Sequence, residues 1–212
     1  MLLMPRLMMM PFVVLMASAA PQAQGQSSQD RWGLTDKHWR ASTDLEILRA
    51  SEIALRCQKV NAISETASDV RSRMILAIAL RHNVCMAKDA ARLERIIAAA
   101  AAAGEARAIH DLAVSKGAKG LRLEQAKEVW ALVGQAASLG DARAKAAQAV
   151  AYADGVPGVV TKDFNHALKL FGDAGRAGFW PVAFVMDSSA GEGKSPWSAA
   201  EHLAMLKVAG EK

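Results

Sequence analysis

With 212 residues, 52% of them hydrophobic and 22% charged, the chain is long and apolar enough for one domain with a core of its own. Its 26 basic and 21 acidic residues leave a formal net charge of +5, and the Lys and Arg are spread out rather than run together. A nucleic-acid partner calls for a clustered basic stripe, so none is expected.

The chain begins with a weakly basic stretch, Met1 to Arg6, then an apolar run, Leu7 to Met16, interrupted at Pro11. Ala17-Ser18-Ala19 follows as a small-x-small cleavage pattern. Residues 1–19 read as a secretory signal peptide cut after Ala19. The alternative, a membrane anchor, fails on length: a bilayer core of about 30 Å needs roughly 20 apolar residues. No Cys lies near the cut to carry a lipid, and no later stretch is apolar enough for a span. The expected location is the periplasm, with no membrane span after processing.

Residues 20–43 are expected to be a flexible mature N-terminus, rich in Gln, Ser and small residues at its start. It carries Trp32 and Trp39, which either pack back on the domain or form a docking segment. A helical pair is expected over 44–89. Ser42-Thr43-Asp44 with Glu46 reads as a helix start. Leu45, Leu48, Ile53 and Leu55 supply apolar positions in a first helix. A second helix is expected from about Ser68 to Arg81 and a third from about Ala87 to Ala103, the latter rich in Ala, the best helix former. No stretch alternates with the period of a strand.

Cys57 and Cys85 are the two cysteines. A secreted context favours one bridge, the alternative being two separately buried thiols. Geometry sets a condition. In a plain antiparallel hairpin of helices 45–64 and 68–83, Cys57 lies opposite about residue 75. At about 1.5 Å per residue the gap to Cys85 is then near 15 Å, whereas a bridge needs Cα atoms within about 7 Å. Either the first helix ends near Cys57, with 58–67 irregular, or there is no bridge.

From residue 90 the chain repeats. Ala103-Gly104-Glu105-Ala106-Arg107-Ala108 matches Leu139-Gly140-Asp141-Ala142-Arg143-Ala144 at an offset of 36. Ala126, Trp130, Gly134 and Ala136 match Ala167, Phe171, Gly175 and Ala177 at an offset of 41, and a weaker copy runs from Ala199 to Gly210. Periods in this range mark stacked repeats, each too small to bury its apolar face alone. The aromatic of A-x-x-x-aromatic fills the space between helices. Gly104, Gly140 and Gly178 end first helices in the left-handed region. Glu105 and Asp141 then open the next helices, where the dipole favours negative charge. Between them, Tyr152 to Phe171 reads as a helix end, a Gly-Pro-Gly loop and a new helix start.

On Ala126, Trp130, Gly140, Tyr152, Gly155, Gly158, Asp163, Ala167, Phe171 and Gly178, segment 90–212 resembles the Sel1-like repeats, a branch of the tetratricopeptide-type arrays. The resemblance implies an all-α fold, an α/α superhelical solenoid of helix–turn–helix repeats, here with an N-terminal helical cap and two full plus two partial repeats. It implies a protein-binding scaffold, not an enzyme. The layout of a signal peptide, Arg56-Cys57-Gln58, Val84-Cys85, repeats and Ser195-Pro196-Trp197 is also similar to the MotX family of periplasmic flagellar-motor proteins. That likeness implies basal-body ring or stator proteins as partners, ring formation with a partner, and a role in stator assembly and motility. The alternative is a periplasmic Sel1-repeat regulator that binds a membrane sensor or envelope protein.

Chemical motifs are absent. His38, His82, His110, His166 and His202 lie far apart, without ligand spacing, and read as surface histidines. Ser188 to Ser195 ends in G-x-G-K-S but has Ser188 where a phosphate-binding loop needs its first Gly. No catalytic residue, cofactor or metal site is expected. Arg71, Arg73, Arg81, Lys88, Arg92 and Arg95 cluster on the second and third helices. They form either a solvated face or a basic patch for an acidic partner, with Arg73, Arg81, Arg92 and Arg95, alongside Trp32 and Trp39, as candidate interaction residues.

Overall fold

The computed structural model describes residues 31–118, 122–179 and 200. The expected signal peptide, the Ser188–Ser195 loop, the Ser195-Pro196-Trp197 helix start and, but for Ala200, the final weak repeat lie outside these residues.

The described chain is all-α, and its only extended pairing is an isolated antiparallel bridge between Val156 and Val160. A short helix α1 (Asp36–Ala41) leads to α2 (Asp44–Ala50), a 3-10 turn at Ile53–Leu55, α3 (Cys57–Asn61) and α4 (Val70–Arg81). Then come α5 (Ala90–Ala102), α6 (Ala106–Gly117), α7 (Leu123–Ser138), α8 (Ala142–Asp154) and α9 (Phe164–Arg176). From α4 to α9 each helix packs on the next, the arrangement of a helical-repeat solenoid.

One device shapes the turns after α5, α7 and α9, each of which is ended by a glycine. After α5, the Glu105 N–H donates to Ala100 O at 3.1 Å and the Gly104 N–H to Ala101 O at 2.9 Å. After α7, Asp141 reaches Ala136 O and Gly140 reaches Ala137 O, both at 3.0 Å. After α9, Phe179 reaches Ala174 O at 3.0 Å and Gly178 reaches Gly175 O at 2.8 Å. This paired bonding needs a left-handed residue at the turn, and the three glycines have φ of 81°, 94° and 97°. After α5 and α7 the residue that closes the turn then starts the next helix. Glu105 caps the Arg107 N–H at 3.4 Å, and Asp141 caps the Ala144 N–H at 2.9 Å. Close helix contact follows from the side chains: Ala136, Ala142, Ala144, Ala149, Ala153, Ala167 and Ala174 are fully buried, with Phe171 filling the space among those of α8 and α9.

The N-terminal part differs from a plain antiparallel helix pair with a loose tail in two ways. The first helix is not continuous over 45–64. Ser51 Oγ turns back onto Ile47 O at 2.5 Å, and Glu52 is left-handed at φ 50°. The reason is the core. At about 100° per residue, Ile53 in an unbroken helix would point about 240° around from Ile47. The break lets Ile47, Ile53 and Val60 all be fully buried against α4. It also meets the geometric condition for the bridge: Cys57 and Cys85 are disulfide-bonded with Cα atoms 5.1 Å apart.

The second departure is that residues 31–43 are not a flexible tail. Trp32, Leu34, Trp39 and Ala41 are buried, and α1 lies across α6 and α8. Trp32 donates from Nε1 to Ser72 Oγ at 2.9 Å, with the Lys59 ammonium 4.4 Å from its ring centroid. Trp39 donates to Glu105 Oε1 at 2.8 Å.

Candidate interaction surface

The N-terminal strap, the helix pairs and their ion pairs settle which candidate residues face outward. Trp32 and Trp39 do not, so the docking reading is corrected: both rings are spent on holding the strap to the array. The arginine cluster is not a free basic patch either. Arg92 Nε lies 2.8 Å and Arg95 Nε 3.7 Å from opposite oxygens of Glu65. Arg71 pairs with Asp36. Arg73 is half-buried, its Nε enclosed without a hydrogen-bond partner. Arg81 Nη1 reaches Asp44 at 2.5 Å and its Nη2 reaches Asp111 at 2.8 Å.

Arg81 belongs to a larger structure, a buried ionic ladder with three arginines and three aspartates. Arg107, 1% exposed, donates to Asp44 Oδ1 at 2.5 Å, to the Ser42 carbonyl at 2.9 Å and to the Trp39 carbonyl at 3.3 Å. Arg143 donates to Asp111 at 3.1 Å, to Asp141 at 2.9 Å and to the Arg107 carbonyl at 3.2 Å. The ladder crosses α2, α4, α6 and α8 and ties the strap to both helix pairs. Burial pushes the Asp44 carboxyl up, but the Arg107 and Arg81 guanidiniums more than offset it and hold the group well below the usual range. Burial and the nearby Arg143 push His110 down, so it is neutral at pH 7. His110 is 9% exposed, which corrects the surface reading, and its Nδ1 has no hydrogen-bond partner. The ladder orients helices. Among the described residues, no group of three or more His, Cys, Asp or Glu is arranged to hold a metal.

What does face outward is an aromatic cleft at the junction of α7, α8 and α9. Trp130 on α7 meets Tyr152 on α8 edge-on, with ring centroids 5.6 Å apart. Tyr152 meets the exposed His166 of α9 edge-on at 4.4 Å. The loop between α8 and α9 forms the floor. It is pinned by the Val156–Val160 bridge, with both bonds 2.8 Å, and by the Asp163 N–H on the Tyr152 carbonyl at 2.8 Å. Gly155 and Gly158 both have positive φ, and a Cβ on Gly158 would come within 2.9 Å of Leu123 Cδ1, so this turn requires glycine. The cleft holds about 480 Å³ and is lined by Trp130 and Tyr152 together with Thr161, Lys162 and Asp163. Behind Trp130 lies a smaller apolar hollow of about 210 Å³ lined by Val129, Val133, Ala147 and Val156.

Of the repeat-defining residues, Ala167 and Phe171 are fully buried, Ala126 is half-buried, and Asp163 caps α9 through the His166 N–H at 2.9 Å. Trp130, expected as a packing residue, also forms the cleft wall, together with Tyr152. The ladder was missed by sequence reading, although its signal was there: Arg107 and Arg143 occupy the same place in two copies of the repeat.

No family model matches the chain, and no curated protein matches it. Among solved structures, the chain is similar to a crystal structure of a Sel1 repeat protein from Oxalobacter formigenes, at 19% identity and a TM-score of 0.47. The match covers 79% of this chain and 64% of that one, so this chain spans about two thirds of the neighbour's length.

Proposed function

We propose that this protein is a helical-repeat scaffold that holds a protein partner outside the cytoplasm. The observation that carries the reading is the open cleft of Trp130 and Tyr152. Trp32, Trp39, Arg81 and Arg92 are engaged in internal contacts, whereas this aromatic wall is open and is lined by one charge of each sign, Lys162 and Asp163. Aromatic residues beside a polar rim are the usual anchors of a protein interface. The Cys57–Cys85 bridge and the expected signal peptide both support an oxidising compartment, the periplasm. The finer form of the reading is a motor-ring component of the MotX type, and the alternative is a regulator of a membrane sensor.

Crosslinking capture from envelope extracts tests all three levels. The expected result is a specific protein partner recovered by the native chain and lost from the Trp130→Ala variant, which leaves the buried ladder untouched. Ring or stator proteins in the capture select the motor role, and a sensor kinase selects the regulator. Capture that is identical for Trp130→Ala would overturn the cleft as the binding surface.

A further inference from the structure

We infer that the pocket beside His110 binds a small, uncharged and mainly apolar molecule that accepts one hydrogen bond. The pocket holds about 390 Å³ and lies where α6, α8 and the end of α9 meet. Its walls are mostly apolar: Ala146 and Val150 from α8, Phe171 from α9, and Phe179 just after it. Two polar side chains complete the lining, His110 from α6 and Arg143 from α8. An apolar pocket of a few hundred Å³ with a small number of placed polar groups is the usual form of a small-molecule site.

His110 is the group in this lining that lacks a partner. It is 9% exposed, and its Nδ1 is enclosed without a hydrogen-bond partner. Nε2 has no partner among the described residues either, but it is not enclosed, so it opens on the pocket that the ring lines. A buried N–H without an acceptor is rarer than a buried acceptor without a donor. The proton of the neutral imidazole therefore sits on Nε2 and presents one donor to the pocket. A polar group left unpaired at a buried site costs free energy, and an acceptor on a ligand recovers it.

The ionic ladder decides the charge of that ligand. Arg143 is already committed, with Nη1 on Asp111 at 3.1 Å and Nη2 on Asp141 at 2.9 Å. Across the ladder Arg81, Arg107 and Arg143 answer Asp44, Asp111 and Asp141, so no net charge is left over to attract an ion. A carboxylate would be desolvated beside a neutral ring with nothing in the pocket to offset the cost. A carbonyl group meets the Nε2 donor without that penalty.

Nuclear magnetic resonance on the full chain at pH 7, disulfide intact, tests the proposal. Acetophenone, an apolar ring with one carbonyl, is the probe, and benzoate is its charged counterpart. The expected result is a saturable shift of the His110 ring nitrogens and the α8 amides with acetophenone, and weaker binding of benzoate. His110→Phe keeps a ring and removes the donor, and should weaken acetophenone about five-fold, the worth of one hydrogen bond. Val150→Trp, which fills the pocket from α8, should abolish binding, with circular dichroism checking the fold of both variants. The two titrations of the native chain decide the matter even where a variant fails to fold. Trp130→Ala should bind acetophenone as the native chain does, so failure here leaves the Trp130 cleft reading standing. No saturable shift, benzoate bound as tightly as acetophenone, or unchanged binding in a folded His110→Phe or Val150→Trp variant would overturn the inference.

Discussion

Asp44 is the residue on which strap and array depend together. Its two oxygens take Arg107 and Arg81 at 2.5 Å each, and His82 Nε2 lies 3.2 Å from one of them. Removing one partner from a buried pair leaves an uncompensated charge and costs about 3–5 kcal/mol. Asp44→Ala should therefore lower unfolding stability by about 3 kcal/mol or more, measured by urea denaturation at pH 7. The pH dependence has a definite sign. The folded carboxyl is held below its ordinary value of 3.8, so the unfolded chain binds the extra proton first as the medium is acidified. Stability from Asp44 is then fully present above about pH 5 and declines steadily as pH falls below about 4 toward the folded value. The same titration on Asp44→Asn should show a shallower loss between pH 5 and 2. An equal slope in both proteins would show that Asp44 is not the group responsible.

At the scale of the element, the turns after α5 and α7 were readable from residues alone, because their requirement is local. A left-handed residue must follow the helix, and an acid must cap the next one. Gly104-Glu105 and Gly140-Asp141 state both. The end of α4 uses the same paired bonds with Asn83 at φ 56°, Val84 N–H reaching Ala79 O at 2.9 Å. That turn was not read as one of the set, since Asn is a less explicit signal than Gly. The two glycine turns differ in surroundings. A Cβ on Gly104 meets nothing within 4 Å, whereas one on Gly140 lies 3.4 Å from Arg40 Nη1. Gly104→Ala should cost about 1 kcal/mol from backbone conformation alone. Gly140→Ala should cost about as much, since its Cβ meets only the end of the Arg40 side chain at ordinary contact distance. Thermal melting of the two variants checks this. A variant with no loss of stability would contradict the left-handed requirement at its turn.

Across the whole molecule, the α1 strap, the ionic ladder and the disulfide are long-range ties between the N-terminal part and the solenoid. The bridge closes a loop with a sequence separation of 28. Loss of that constraint on the unfolded chain corresponds to about 3–4 kcal/mol. Cys57→Ser with Cys85→Ser should lower the urea midpoint accordingly, and reduction of the native chain should reproduce the shift. A reduced protein as stable as the oxidised one would mean that Ile53, Val60 and the strap already fix this region.

The sequence by itself determined the all-α class, the period of the array, the glycine and acid at its turns, and the spacing condition on the cysteines. Each follows from residues near one another in the chain, where helix propensity, capping and left-handed turns act. Only the tertiary structure decided that Trp32 and Trp39 are buried, that the helix over 45–64 breaks, and that Arg107 and Arg143 lie inside a ladder. Those outcomes depend on partners far off in sequence: Ser72 for Trp32, Glu105 for Trp39, Asp44 for Arg107. An arginine or a tryptophan carries both an apolar body and a polar tip, so its own identity does not say whether it will face water or core. Which tryptophan anchors the strap and which stands open at the Tyr152 cleft is settled by what the folded helices bring beside each one.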